Sequence, residues 1–371
     1  MIGKSTVSNS TNSTFPTEVT DSSASVPPGL TLYTQVTYSV IATIAFLGNM
    51  CVISIFLRDR KLLKKSYNML ILSLAIADVL TAILLISNPA FVLGDAFPYP
   101  ENHYLGKIFC QVVWSRMLLF HMVIFSAYIC LALAMERWYA VVHPLKYKAA
   151  FITKHTLVYI GSSFVWSFLL VLSISFEVGY VPLNPPQRRC KWLLLWEGQS
   201  IRTIVGVVQV LLKMAFPSVT MLVLYAHMIY KTSRSTVTSA ESKAKFRGKM
   251  TRMVGAACLM LIVCLAPGQI NFALAMAGKV KLDTKTHHGL SILAFISSCM
   301  NPFIYGLSNK NYRLGFQGLL LPVSKAVGCA RRILIRSGVN PENSSKREVS
   351  TMEAWEKASD DGGAKKMSNS I

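Results

Sequence analysis

Four stretches of this chain contain no aspartate, glutamate, lysine or arginine: Thr31 to Leu57, His155 to Phe176, Met253 to Gly278 and Thr286 to Asn309. Each is long enough to cross roughly 30 Å of hydrocarbon at 1.5 Å per helical residue. Three more carry a single charge inside them: Ser66 to Gly94 has Asp78, the run from Lys107 to Met135 has Arg116, and Thr203 to Tyr230 has Lys213. A charge at the bilayer centre costs at least about 2.5–3.5 kcal/mol on insertion scales, so charges delimit spans. The pattern predicts an all-α membrane protein, a bundle of seven transmembrane helices. Composition agrees, because the apolar residues fall in long blocks and only 15% of the chain is charged.

Orientation follows from the short connections. Arg58, Arg60, Lys61, Lys64 and Lys65 follow the first span, Lys146, Lys148 and Lys154 the third, and Lys231, Arg234, Lys243, Lys245, Arg247, Lys249 and Arg252 the fifth. By the positive-inside rule these connections face the cytoplasm, so the N-terminus is extracellular and the C-terminus internal. The net charge of +21 is mostly this topology signal, with some attraction to anionic membrane lipid. It is not read as a nucleic-acid surface. The expected location is the plasma membrane, crossed many times.

Residues 1–30 are rich in serine, threonine and proline and hold no apolar signal-peptide core. The first span is therefore expected to act as the signal anchor, and the tail to be extracellular, disordered and glycosylated at Asn9 and Asn12. The bundle occupies residues 31–309. Over residues 310–321, Tyr312, Phe316, Leu319 and Leu320 recur at helical spacing, opposite Lys310, Arg313 and Gln317. That is a short amphipathic helix for the inner membrane surface. Cys329 is near enough to be acylated or stands as a plain cytosolic thiol. Residues 322–371 are expected to be a disordered cytoplasmic tail open to phosphorylation.

The stretch from Cys110 to Pro144 carries the most chemistry. It opens on a cysteine, runs uncharged from Met117 to Met135, and ends in Glu136-Arg137-Trp138 where the helix meets cytoplasm. Cys110 at the outer end and Cys190 in the next outer loop read as a disulfide in the oxidising compartment. Asp78, mid-span, is either a protonated acid bonded to neighbours such as Asn49 or a cation site. Pro217, Pro267 and Pro302 lie in the last three spans, where they free carbonyls and permit bending.

Together these residues closely resemble the rhodopsin-like class of G protein-coupled receptors, over roughly residues 30–320. The resemblance rests on Asn49 after Gly48, Asp78 in Leu-Ala-x-Ala-Asp, the Cys110 and Cys190 pair, Glu136-Arg137-Trp138, Trp166, Pro217 with Tyr225, Pro267, and Asn301-Pro302-x-x-Tyr305. It implies that Arg137, paired with Glu136 at rest, is released to meet a heterotrimeric G protein when the sixth span swings outward. Tyr225, Asn301, Pro302 and Tyr305 complete that switch. It implies a sodium ion at Asp78, Ser126, Ser297 and Asn301, and no other metal. It further implies that arrestin and receptor kinases engage the C-terminal tail. A weak analogy, from the short third inner loop, points to an inhibitory G protein.

The chain departs from the family pattern in three places. Cys264-Leu265-Ala266-Pro267 lacks the usual tryptophan, which bears on the basal state and leaves open a constitutively active orphan receptor. Trp138 replaces a tyrosine. The interval from Cys110 to Arg137 is about two residues longer than usual. Phe295 stands where a retinal protein would carry lysine, so no retinal is expected, and Met117 to Ile124 offers no acid for an amine.

The outer half instead offers cations. Arg116 and Lys213 lie within spans, and Arg188, Arg189, Lys191, Lys279, Lys281 and Lys285 outnumber Glu197 and Asp283 in the outer loops. Lys213 lies roughly 16 Å inward of Arg202, too deep to snorkel easily. It is paired with Glu177, reaches lipid phosphate, or receives an anionic group of a ligand. The leading expectation is a neuropeptide with an anionic group, bound near Arg116, Lys213 and Glu177; the alternative is an acidic small molecule or lipid. The paired His287 and His288 point to different faces and are read as loop residues. A transporter is the remote alternative, disfavoured by the absence of repeated halves, and no enzyme motif is present.

Overall fold

The computed structural model describes residues 31–93, 100, 102–180, 190–192, 198–233, 241–282, 284–308 and 312–317. Asn9, Asn12 and Cys329 lie outside them. The helices are α1 (Leu32–Arg58), α2 (Ser66–Ser87), α3 (His103–Phe109), α4 (Met117–Val142), α5 (Pro144–Ala150), α6 (Thr153–Phe176), α7 (Gln199–Val210), α8 (Phe216–Ser233), α9 (Glu241–Met276) and α10 (Lys285–Ser308). Strands β1 (Val178–Tyr180) and β2 (Cys190–Trp192) pair antiparallel, with Tyr180 opposite Cys190. Seven helical stretches are long and apolar enough to span a membrane. The third joins α3 to α4 and the fifth joins α7 to α8, each through a π turn, Cys110–Trp114 and Leu211–Ala215.

Large apolar side chains on many faces point outward, as expected where lipid is the solvent, and the protein's own core is built on α4. There Leu119, Ile124, Ile129 and Leu133 are fully enclosed. The short segment after the last span begins as expected, since residues 312–317 are helical and the buried Tyr312 hydroxyl donates to Asn68 Oδ1 at 3.0 Å.

The proline in α10 sets the packing of the first and last spans. Pro302 has no N–H, so the carbonyl of Ser298, one turn back, loses its helical partner. Asn49 Nδ2 supplies one at 3.0 Å and bonds Ala45 O at 2.8 Å as well. Gly48 allows the approach: a Cβ there would stand 3.0 Å from Pro302 Cγ. Asn49 therefore serves the backbone of α10, and Asp78 is served by Asn301.

Candidate functional site

At the outer end, α4, α6, the π turn of the fifth span, α9 and α10 enclose a cavity of about 100 Å³. A water takes up about 30 Å³ of liquid, so this space accepts an organic group. Its wall is mostly apolar, including Phe120, Val123, Ile124, Phe272 and Phe295, with Leu265 in the position where the family usually has tryptophan. Lys213 lines it too, with only 5% of its surface exposed. The π turn places this lysine on the inner face, because one extra residue in a turn rotates the side chains by about 100°. Its Nζ donates to Gln209 Oε1 at 2.6 Å and stands 6.0 Å from the Phe272 ring. Glu177, at the end of α6, acts on it through its charge. Gln269, His287 and Ser291 supply the remaining polar lining.

Arg116 lies elsewhere. It is buried with its guanidinium 5.3 Å over the Phe91 ring, and it is not part of the cavity wall. The structure thus places Lys213 in the cavity wall within reach of the Glu177 charge and leaves Arg116 out of that wall. The sequence pattern marks neither Phe272 and Leu265 as lining residues nor Gln209 as the partner of Lys213. The fifth-span π turn is announced only by Pro217, two residues beyond it.

Midway through the bundle, Asp78 is fully buried and its Oδ2 accepts from Asn301 Nδ2 at 2.7 Å. The Ser126 and Ser298 hydroxyls stand beside it. Asp78 Oδ1, Asn49 Oδ1 and Ser126 Oγ are buried without a hydrogen-bond partner among the described residues. These orphaned oxygens, one of them on the carboxylate itself and one on the adjacent Ser126, match the all-oxygen donor set that a hard cation prefers. Ser297, one residue before Ser298, turns its hydroxyl back to Ala294 O at 2.7 Å.

At the inner end, Arg137 and Glu136 form a buried bidentate ion pair. The carboxylate also accepts from Tyr147 of α5 at 2.6 Å, and the guanidinium lies 4.7 Å over the Tyr67 ring. Burial, and then the nearby Glu136 charge, push the Tyr147 phenol above its ordinary value, so it remains a donor at physiological pH. The Tyr225 and Tyr305 hydroxyls are buried without a hydrogen-bond partner among the described residues. Trp138, the family's usual tyrosine position, donates its indole N–H to His227 Nδ1 of α8 at 3.2 Å. On the outer side Cys110 and Cys190 are joined, with Cα atoms 5.4 Å apart.

Residues 48–305 match the model of the 7 transmembrane receptor (rhodopsin family). The chain belongs to this family. The receptor is 27% identical to somatostatin receptor type 5 of Bos taurus, over 79% of its own length and 77% of the relative's. It is 26% identical to melatonin receptor type 1B of Rattus norvegicus, over 76% of each chain. Somatostatin receptor type 1 of Rattus norvegicus is 29% identical, over 76% of the receptor and 70% of the relative. Membership makes the chain a multi-pass plasma membrane receptor and not an enzyme, with an extracellular ligand and a G protein as partners.

Proposed function

We propose that the receptor's agonist places an anionic group on Lys213, with its apolar part in the cavity beside Phe272, Leu265 and Phe295. The observation that carries this reading is a buried lysine in a mostly apolar wall. A single cation in a low-dielectric pocket attracts an anion far more strongly than one in water, and among the described residues no second lysine or arginine lines the pocket to dilute the preference. The anion displaces Gln209 and competes with Glu177 for the ammonium group.

Two ligand sources share this chemistry. Relatives named for somatostatin, and the paired strands β1 and β2 at the outer face, favour a peptide. The apolar enclosure favours an acidic lipid or small molecule. Nucleotide exchange on purified G proteins separates them: peptides ending in a free carboxylate are compared with their amides, and fatty acids with their methyl esters, on wild type and Lys213→Gln. The proposal requires at least one acid series to act, to lose activity on neutralisation, and to lose it again in Lys213→Gln. Equal potency of acids and neutral forms on wild type would overturn it.

The inner end supports activation by release of Arg137. The ion pair and the Tyr147 bond hold Arg137 against Glu136, while two buried hydroxyls, Tyr225 and Tyr305, have no hydrogen-bond partner among the described residues. A second packing, with α9 swung outward, gives Arg137 a G protein to meet and these tyrosines new partners. A ligand drives it only by binding that packing more tightly. The oxygens around Asp78 favour sodium there, bound in the resting packing. Arrestin and receptor kinases complete the set of partners through residues 322–371.

A further inference from the structure

Five free cysteines lie in the spans among the described residues, and two of them meet. Cys130 of α4 and Cys258 of α9 are both buried, and the Cys258 thiol donates to the Cys130 carbonyl oxygen at 3.6 Å. The two thiols also stand close enough to act on one another directly. Cys299, by contrast, directs its thiol at Ile41 O of α1 at 3.2 Å. A single buried cysteine is ordinary apolar filling. Two in contact across a pair of helices are different, because the loss of two hydrogens joins them.

The pair is not walled by hydrocarbon alone. The Tyr225 and Tyr305 hydroxyls belong to the same cluster as the two thiols, and both are buried without a hydrogen-bond partner among the described residues. Gly255, one turn before Cys258, lets the Tyr225 ring close in, since a Cβ there would stand 3.0 Å from Cε1. Unmatched hydroxyls in an apolar interior favour a small guest that both donates and accepts hydrogen bonds. Hydrogen peroxide is such a guest, neutral and little larger than water. Cys130 lies six and seven residues outward of Glu136 and Arg137, about 10 Å at helical rise, so the cluster is open to approach from the cytoplasmic end.

We propose that Cys130 and Cys258 are a peroxide-oxidised dithiol site, whose disulfide staples the third span to the sixth. Peroxide transfers one oxygen to the Cys258 sulfur, giving a sulfenic acid, and its other oxygen leaves as water. The Cys130 sulfur then attacks the Cys258 sulfur, the S–S bond forms, and the sulfenic oxygen departs with the Cys130 proton as a second water. The two thiols lose two electrons and two protons together, and the peroxide is reduced to two waters. Cytosolic thiols reverse the step, which makes the bond transient in that compartment. The staple ties α4, which carries Arg137, to α9, and it rests on the activation reading above for its consequence: an α9 that must swing outward is held at rest.

The full receptor in lipid nanodiscs is treated with hydrogen peroxide and digested without reductant. Mass spectrometry is expected to find the peptides carrying residues 130 and 258 joined, lighter than their sum by two hydrogens. The Tm of the treated receptor should rise, because closing a loop between residues 128 apart restrains the unfolded chain. Cys130→Ser and Cys258→Ser should each lose the joined peptide and the Tm gain while the Cys110–Cys190 peptide stays joined. The proposal fails if the two peptides remain separate, if either thiol joins another cysteine instead, or if a serine variant keeps the Tm gain. Ligand-free nucleotide exchange, read on wild type and Tyr147→Phe, tests the consequence apart from the site. Joining should lower exchange to background, and a dithiothreitol dose that spares the Cys110–Cys190 peptide should restore it. A joined receptor that exchanges as before would keep the dithiol site and overturn the outward swing of α9 from α4.

Discussion

The hydroxyl of Tyr128 on α4 donates to the carbonyl oxygen of Leu212 in the fifth span at 2.8 Å. In the π turn the N–H of Phe216 reaches back to Leu211 O, so Leu212 O would next need the N–H of residue 217. Residue 217 is proline and has none. Tyr128 makes good that loss, and the Trp166 indole N–H of α6 donates to the same hydroxyl at 3.0 Å. Three spans therefore meet at one oxygen, one residue before Lys213.

Tyr128→Phe leaves that carbonyl and that indole N–H unmatched in an apolar setting. The expected cost is about 1–3 kcal/mol, read as a lower Tm of the purified receptor. Trp166→Phe should add less in the Tyr128→Phe background than alone, because both act through one hydroxyl. A Tm unchanged by Tyr128→Phe would show that the π turn holds without it.

Tyr147→Phe removes one hydrogen bond to the Glu136 carboxylate without touching Arg137. Bonds to charged groups contribute about 1.5–3 kcal/mol, and the proposed release of Arg137 from Glu136 would break up the cluster this bond belongs to. Ligand-free nucleotide exchange should rise at least about tenfold, since roughly 1.4 kcal/mol already shifts an equilibrium by that factor. Arg137→Ala should abolish exchange in the same assay. If Tyr147→Phe lowers exchange, α5 assists activation instead of restraining it.

The spans, their number and their orientation were legible because each rests on a property read residue by residue: where charges stop and start. The disulfide was legible for a similar reason, two cysteines on the outer side and the rest inside spans or, for Cys329, in the segment after the last span. What was not legible is rotational. Nothing in the composition of Leu211 to Ala215 announces a π turn, yet that turn decides that Lys213 faces the cavity. Arg116 and Lys213 read alike as span cations, and only backbone geometry separates one that lines a cavity from one that lies on a ring. Asn49 shows the same limit, since its partner depends on which carbonyl Pro302 frees, a fact of three-dimensional register.

Sodium binding gives a further test. If the orphaned oxygens of Asp78, Asn49 and Ser126 hold the ion, replacing potassium by sodium at constant ionic strength should raise the Tm and lower ligand-free exchange. Asp78→Asn should abolish both responses while keeping the side-chain volume. A sodium response that survives Asp78→Asn would place the ion elsewhere.

Leu265 lines the cavity and is nearly fully buried, so a ligand there touches directly the residue that stands in place of the usual tryptophan. Leu265→Trp should therefore act twice. The larger ring occupies apolar space that the ligand would fill, which weakens any agonist that depends on Lys213. It also adds contact between α9 and its neighbours in the packing where the cavity exists, which favours rest and lowers ligand-free exchange. The two effects separate in one experiment: exchange without ligand reports the packing, and the agonist concentration for half-maximal exchange reports the space. A mutant with lower basal exchange and unchanged agonist potency would mean that the agonist does not reach the cavity floor. If basal exchange rises, the indole forces α9 outward, and leucine at this position is what keeps the receptor quiet.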